Sequence, residues 1–410
     1  HRSKGVKNAT IVDLNKAEEA VRQCVHAAEN MAAGVMKGYP LREVVVNLPG
    51  IHARSFSQHA QVKILGHEIT DNDTRRALAK AQEQALHEDF ELVHTIPVHY
   101  SIDGHDGINE PRGMYGQNMD VDIHIVSGEL GALRNMASVI ERSHLDIKAL
   151  CVSAYASGLA CLVEDEMDLG ATVIDIGGGT SDCAMVRMGP DHIQKADRAA
   201  DFLGHTGERV GGNDLDIRLA TESLMPLFGM NAALKSGKPM PTKTFIDAVS
   251  TNDVSALTRF SSLETGLYLE QLQHDCAEPE LIGRLLRLRK NKQNQQLVRH
   301  AEEAKISLSN AEMTSVNLEF VEKSLSTDIN RTELAEAIER PLEKIIALMK
   351  EAKDQAGVSP DLIFVTGGSA KSPVITNAVK NVFGEVPLLD GDHFGSVVSG
   401  LTEWAQRIYR

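Results

Sequence analysis

Residues 173–182 read VIDIGGGTSD. The Val-Ile-Asp-Ile run suits a buried strand. The three glycines after it leave bare amide N–H groups that can cradle an anion, most often a phosphate. Asp175 and Asp182 flank the glycines, and carboxylates belong beside a phosphate only when a hydrated metal ion and a water mediate between them. A tight structural hairpin would also account for three glycines, so the rest of the chain has to separate the two readings. A second pair, Gly211 and Gly212, stands in RVGGNDLD before a predicted helix, and a third, Gly367 and Gly368, in VTGGSAKSP. Three glycine clusters at strand-to-helix transitions suit a nucleotide cleft between two halves, where backbone approaches the ligand from several directions.

Outward from this core, residues 13–33 predict a helix with Asn15 as its cap and Glu18 three residues on. EVVVNL (43–48) reads as a buried strand and HAQVKIL (59–65) as a half-exposed one. A helix opens at Thr70 and runs to about His87, followed by strands in FELVHTIPVHYSID and DVDIHIV (120–126). Helices near 129–143 and 153–163 precede the glycine strand, CAMVRMG returns as its hairpin partner, and residues 215–310 are mostly helical around the loop NAALKSGKPMPTKT. DLIFVTGGSAKSP and a closing amphipathic helix, GSVVSGLTEWAQRIYR, complete an alternating α/β chain with ligands expected at strand carboxyl ends.

The 410 residues allow two to four domains. With 42% hydrophobic and 24% charged residues and no apolar run that could span a bilayer, the chain reads as a cytoplasmic protein without a transmembrane segment. A net charge of −15 argues against nucleic acid as a partner. Five scattered cysteines with no CxxC pair indicate neither a disulfide framework nor a zinc site. Residue 1 is His, and the chain reads as a fragment of a longer protein.

VIDIGGGTSD, RVGGNDLD, AEEAKISLS (301–309) and VTGGSAKSP together resemble the phosphate, ribose and adenosine motifs of the actin and DnaK-type ATPase superfamily. From about 174 to 410, LGHTGERVGGNDLDIRLA, AEEAKISLS, TGGSAKSP and GDHFGSVVSGLTEWAQ resemble the YegD-type branch of DnaK-like chaperones. From about 1 to 173, GVKNATIVDLNKAEEAV, HTIPVHYSIDGHDGINEPRGMYG and VDIHIVSGELGALRNMASVIERSHLDI resemble the cell-division protein FtsA, including its inserted subdomain. The chain thus reads as a hybrid joined near VIDIGGGT, whether as a true fusion, a design or an assembly error.

The resemblance implies an actin-like α/β ATPase fold, two lobes of ribonuclease-H-like sheets with inserted subdomains, lacking the first strand hairpin. Its expected divisions are 1–47 and 128–170 for the first lobe, 48–127 for the FtsA-like insertion, 171–218 and 311–410 for the second lobe, and 219–310 for a helical insertion. It implies ATP and Mg2+ as cofactors. Asp175 and Asp182 would hold the metal and its water, and Gly177, Gly178, Gly179 and Thr180 would contact phosphates. Asp175, Thr180 and Asp182 form the catalytic set. Gly211 and Gly212 would approach phosphate and ribose. Glu302, Lys305 and Ser309 match positions that contact ribose and adenine, and Gly367, Gly368, Ser369 and Lys371 would line the adenosine pocket with Asp392 at its edge.

Ile306 stands where DnaK-type chaperones stack an arginine on adenine, which implies weaker base binding. Ser153 and Ala154 replace a Glu-Pro pair that could orient the attacking water, and no Asp-x-Gly strand precedes residue 60. Loss of one such positioning group costs on the order of 10² to 10³ in rate, so at best a slow Mg-dependent ATPase is expected. Three functions compete: an FtsA-like adaptor whose insertion contacts itself or cell-division proteins, a YegD-type chaperone ATPase, and a composite without ATP binding.

Other features read as structure. His94, His99 and His124 beside Asp120 and Asp122 lack metal-site spacing and read as strand surface or satisfied core. RLLRLRKNK (284–292) reads as a solvated helix face and Trp404 as core packing. Ser153, Ser157 and Ser181 have no neighbouring His and acid in nucleophile order.

Overall fold

The computed structural model describes residues 4–409 apart from 8, 86–87, 109, 162–170, 178, 187–201 and 391–394. The chain forms two units: residues 1–209, 345–370 and 379–410 make the first, and residues 210–344 and 371–378 the second.

The first unit begins with a short hairpin, β1 (Val6–Lys7) and β2 (Thr10–Ile11), then helix α1 (Leu14–Met31). The cap of α1 is Asp13, not Asn15: Asp13 is extended at φ −150° and its carboxylate accepts from the Lys16 amide at 3.1 Å. Asn15 already lies in the first turn, where its Oδ1 accepts from Arg142 at 2.8 Å. A single turn, α2 (Ala33–Met36), leads to β3 (Glu43–Leu48), the apolar run expected to be a strand.

After a 3₁₀ turn at Gly50–His52 come β4 (Ala53–Lys63), α3 (Asp71–Ala85), β5 (Phe90–Ile102), β6 (His105–Ile108) and β7 (Asn118–Glu129). These strands form a sheet in the order β4-β7-β5-β6. One face packs Met119, Val121, Ile123 and Ile125 against Ala77, Ala81 and Ala85 of α3. Alanines at every fourth helical position let the helix lie close on the sheet. In the first turn of α3, Asp73 Oδ2 accepts from the Thr70 amide at 3.0 Å and from its hydroxyl at 2.7 Å, which fixes the helix start. β4 is longer than the sequence suggested, because Ala53 to Lys63 pair continuously with Gly128 to Asn118 of β7. The polar residues Arg54, Ser55 and Ser57 conceal that strand from a reading of apolar alternation.

α4 (Leu130–Arg142), β8 (Asp146–Val152) and α5 (Ser153–Cys161) follow, and β8 pairs in parallel with β3. The glycine-strand hairpin is β9 (Ala171–Ile176) and β10 (Ser181–Val186), extended by β11 (Phe202–Glu208). The second unit then packs helices around Phe228, Phe245 and Phe260, each fully buried, with one hairpin, β12 (Met313–Asn317) and β13 (Ser326–Asn330). Its RLLRLRKNK helix, Pro279–Lys290, is less solvated than expected: Arg284 pairs with Glu322 at 2.9 Å, and Arg289 donates to the Phe260 carbonyl at 2.9 Å.

The helix Glu339–Ala356 carries the chain back to the first unit, where β14 (Leu362–Thr366) and β15 (Leu388–Asp390) complete a sheet of order β11-β10-β9-β14-β15. β9, β14 and β15 run parallel, while β10 and β11 are antiparallel to their neighbours. The closing helix, Ser396–Ile408, lies against α5 so closely that a Cβ on Gly400 would sit 1.5 Å from the Ala156 carbonyl oxygen. Trp404 packs edge-on to Tyr155 at 5.8 Å, a core role as the sequence suggested.

Candidate functional site

The residues singled out by sequence fall into two groups, one in each unit except that Lys371, at the end of the VTGGSAK turn, belongs to the second unit. In the first, Asp175 near the end of β9 and Asp182 at the start of β10 are direct partners across the hairpin. The turn between them is closed by the Gly177 amide donating to the Thr180 carbonyl at 2.9 Å. Like charges directly opposite on a sheet repel. Burial pushes the Asp175 carboxyl up to about 6, and burial together with Asp175 pushes Asp182 well above the ordinary carboxylate range, while the Gly50 amide pulls it the other way. Asp182 is 3% exposed and its Oδ1 has no hydrogen-bond partner among the described residues.

A buried and a half-buried carboxylate that repel one another, with an orphaned oxygen, fit a divalent cation. Among the described residues no group of three or more His, Cys, Asp or Glu is arranged to hold a metal. A two-carboxylate arrangement is what magnesium uses when it keeps several waters and takes further oxygens from a phosphate. The pair opens on a cavity of about 560 Å³ in the first unit, apolar where α1 and α4 line it and polar at Asn47, Ser153, Thr180 and the two aspartates. Asn47 Nδ2 donates to Ser153 Oγ at 3.0 Å, so Ser153 positions an amide and serves no nucleophile triad.

Parallel pairing sets Thr366 of β14 beside Asp175, which brings the VTGGS turn next to the first glycine turn. Gly367 has φ +88°, and a Cβ there would sit 2.2 Å from the Ile176 carbonyl oxygen. Only glycine allows that approach at that φ. Ser369 is buried in the following 3₁₀ turn, Gly368–Lys371, and Lys371 is exposed. Gly178 and Asp392 lie outside the described residues.

In the second unit, Gly211 and Gly212 are buried at the start of the helix Gly212–Leu219, and Asp214 Oδ2 accepts from the Gly211 amide at 2.9 Å. Lys305 reaches this turn from the helix Asn294–Ser307: its Nζ lies 2.7 Å from Asp216 Oδ1 and donates to the Gly212 carbonyl at 3.2 Å. Glu302 is exposed on the same helix, and Ser309, just past its end, donates to the Lys305 carbonyl at 3.4 Å. Ile306 is 55% exposed.

Two residues escaped the sequence reading. Asp216 is the buried counter-ion of Lys305. A lysine amid the buried Ala301, Ala304 and Leu308 could have signalled that an acid was needed. Gly50 lies over the aspartate pair: a Cβ there would fall 1.8 Å from Asp182 Oδ1. Nothing in LPGIH distinguishes it from an ordinary turn glycine.

Residues 50–127 match the family described as the SHS2 domain inserted in FTSA, and residues 283–393 match the family Hsp70 protein. The cell division protein FtsA of Rhizobium meliloti (strain 1021) is 38% identical over 188 residues, 46% of this chain and 41% of that protein. The FtsA of Agrobacterium fabrum (strain C58) shows the same identity and coverage, and that of Pseudomonas aeruginosa is 31% identical over 221 residues, 54% of this chain and 50% of the relative. The chain therefore spans about half the length or less of these relatives. The resemblance to FtsA and to the actin and DnaK-type superfamily is borne out, and the Hsp70 match with the mixed α/β architecture agrees with the expected actin-like ATPase fold.

Proposed function

We propose that this chain, FtsA-like in one part and Hsp70-like in another, binds ATP with magnesium and turns it over slowly at best. The observation that carries the reading is the Asp175–Asp182 pair, half-buried and buried respectively and directly opposed beside two glycine turns. Asp175 and Asp182 would hold hydrated Mg2+, which would supply charge neutralisation at the phosphates. By the family pattern, Gly177, Gly178, Gly179 and Thr180 would offer amides and a hydroxyl to phosphate oxygens, and Gly211 and Gly212 would approach phosphate and ribose, with Glu302, Lys305 and Ser309 toward ribose and adenine. Lys305 acts by holding the glycine turn through the Gly212 carbonyl. By the same pattern, Gly367, Gly368, Ser369 and Lys371 would line the adenosine pocket with Asp392.

The domain division that accompanies this reading is a first lobe of 1–47 and 128–170, a second of 171–218 and 311–410, an adaptor insertion at 48–127 and a helical insertion at 219–310. The similarity of the insertion to the SHS2 domain of FtsA favours a role in cell division, through contacts with itself or other division proteins. The Hsp70 match over 283–393 favours a second reading, a chaperone-like ATPase of the YegD type. A refolding assay with an unfolded client separates the two, since only the second expects an ATP-dependent effect. A thermal-shift titration tests the nucleotide claim itself: Mg-ATP at 100 times Kd should stabilise the chain by about 2.7 kcal/mol. No shift at millimolar Mg-ATP would favour a composite without ATP binding.

A further inference from the structure

The inserted sheet has a second face, opposite α3. Because Met119, Val121, Ile123 and Ile125 of β7 point into the α3 core, Asp120, Asp122, His124 and Val126 occupy the other side. On β5, His94 is opposite Val126 and Ile96 is opposite His124, so His94 and His124 are diagonal neighbours on that face. The face divides sharply. At its outer end His59 Nδ1 meets Asp122 Oδ1 at 3.0 Å and His99 Nε2 meets Asp122 Oδ2 at 2.9 Å, in solvent. At its inner end His124 is 1% exposed, and His94 stands edge-on to Tyr155 of α5 at 6.1 Å and to Trp404 at 6.3 Å. β11 covers this end, tied down by Ser55 Oγ donating to the His205 carbonyl at 2.6 Å. His94 Nε2 is enclosed with no hydrogen-bond partner among the described residues.

We propose that the His94–His124 pair is a proton-operated lock on the inserted domain. Neutral, the two rings let β11, Tyr155 and Trp404 close over the sheet; protonated, they drive that end open. The groups facing the pair are His205 from β11, Tyr155 from α5, Trp404 from the closing helix, and Ser55 and Ser57 of β4. Of the nearby carboxylates, Asp120 and Asp122 are engaged with the outer histidines and Glu129 with His52, while Asp182 stands beside the His205 ring at Gly50. Burial pushes His94 down to about 4, and burial with help from His94 does the same to His124. Free histidine titrates near 6.5, so the opened form binds more protons below that pH. The closed form is fully stable above about pH 6.5 and loses stability as the pH falls toward 4.

Hydrogen exchange of the full chain, corrected for intrinsic rates and compared at pH 7.0 and 5.0, tests the lock. Peptides covering 90–102 and 118–129 should open about tenfold more per pH unit for one titrating histidine and up to about a hundredfold for both. Peptides from 294–307 should show no such change. The double variant His94→Gln with His124→Gln should remove the pair's share of the excess, leaving at most that of the buried His205. If it fails to fold, His94→Phe, which keeps an aromatic ring against Tyr155 and Trp404, should remove about half of the pair's share in logarithmic terms. Protection that is equal at the two pH values, or a dependence undiminished in the variants, would overturn the proposal.

Discussion

Lys305→Met removes the ammonium from a pair in which both partners are buried, Lys305 at 8% and Asp216 at 4% exposure. Breaking such a pair commonly costs about 3–5 kcal/mol because the remaining charge is stranded. Here Asp216 has an escape. Burial, the largest influence, already raises its carboxyl to about 6 even with Lys305 beside it, so the folded state takes up a proton at modest cost. At pH 7 that uptake costs about 1.4 kcal/mol, one pKa unit's worth. Loss of the hydrogen bond to the Gly212 carbonyl adds about 0.5–1.5 kcal/mol. Lys305→Met should therefore destabilise by about 2–3 kcal/mol at pH 7.

The pH profile carries the signature. A carboxyl whose folded pKa is raised contributes stability that is full below its unfolded value and is lost as pH rises through the folded one. Wild type completes that loss near pH 6, whereas the variant, with Asp216 raised further, goes on losing stability. The gap between them should widen by about 1.4 kcal/mol per pH unit above pH 6. Urea denaturation followed by far-ultraviolet circular dichroism from pH 5.5 to 8 measures it. A gap constant across that range would refute the reasoning.

Asp182→Asn removes one of two opposed carboxylates, so its melting temperature should exceed that of wild type, by more at pH 8 than at pH 5, while affinity for Mg-ATP falls at least tenfold; differential scanning calorimetry and a binding titration read the two halves. Gly50→Ala drives a methyl toward Asp182 Oδ1, 1.8 Å away, and toward His205 Cε1 at 3.1 Å. Such overpacking should cost about 1–3 kcal/mol in chemical denaturation. Gly400→Ala meets backbone, the Ala156 carbonyl oxygen at 1.5 Å, and so requires α5 and the closing helix to separate. Its melting temperature should fall by several degrees, at about 2–4 °C per kcal/mol for a domain of this size, and an unchanged melting point would contradict that packing.

Much of the fold was legible because its signals are local. The apolar run EVVVNL became β3 with the expected limits, and the glycine turns lie at strand ends as VIDIGGGTSD and VTGGSAKSP suggested. The illegible parts depend on distant partners. β4 was cut short because its polar half becomes a strand only through pairing with β7. Asp13 outcompeted Asn15 as a cap through backbone geometry that composition does not encode. At the site, Asp175 and Asp182 were readable from their flanking of the glycines, but their direct opposition is a matter of register. Gly50 and Asp216 become meaningful only through residues 132 and 89 positions away, respectively, as their contacts with Asp182 and Lys305 show.

Calorimetric titration of the full chain with ATP, in magnesium and again with excess EDTA, addresses the central claim most directly. The account predicts saturable binding of one nucleotide per chain, weakened when magnesium is chelated and weakened again, with magnesium present, in Asp182→Asn. Heat indistinguishable from dilution at millimolar Mg-ATP, or binding that neither EDTA nor Asp182→Asn alters, would contradict it.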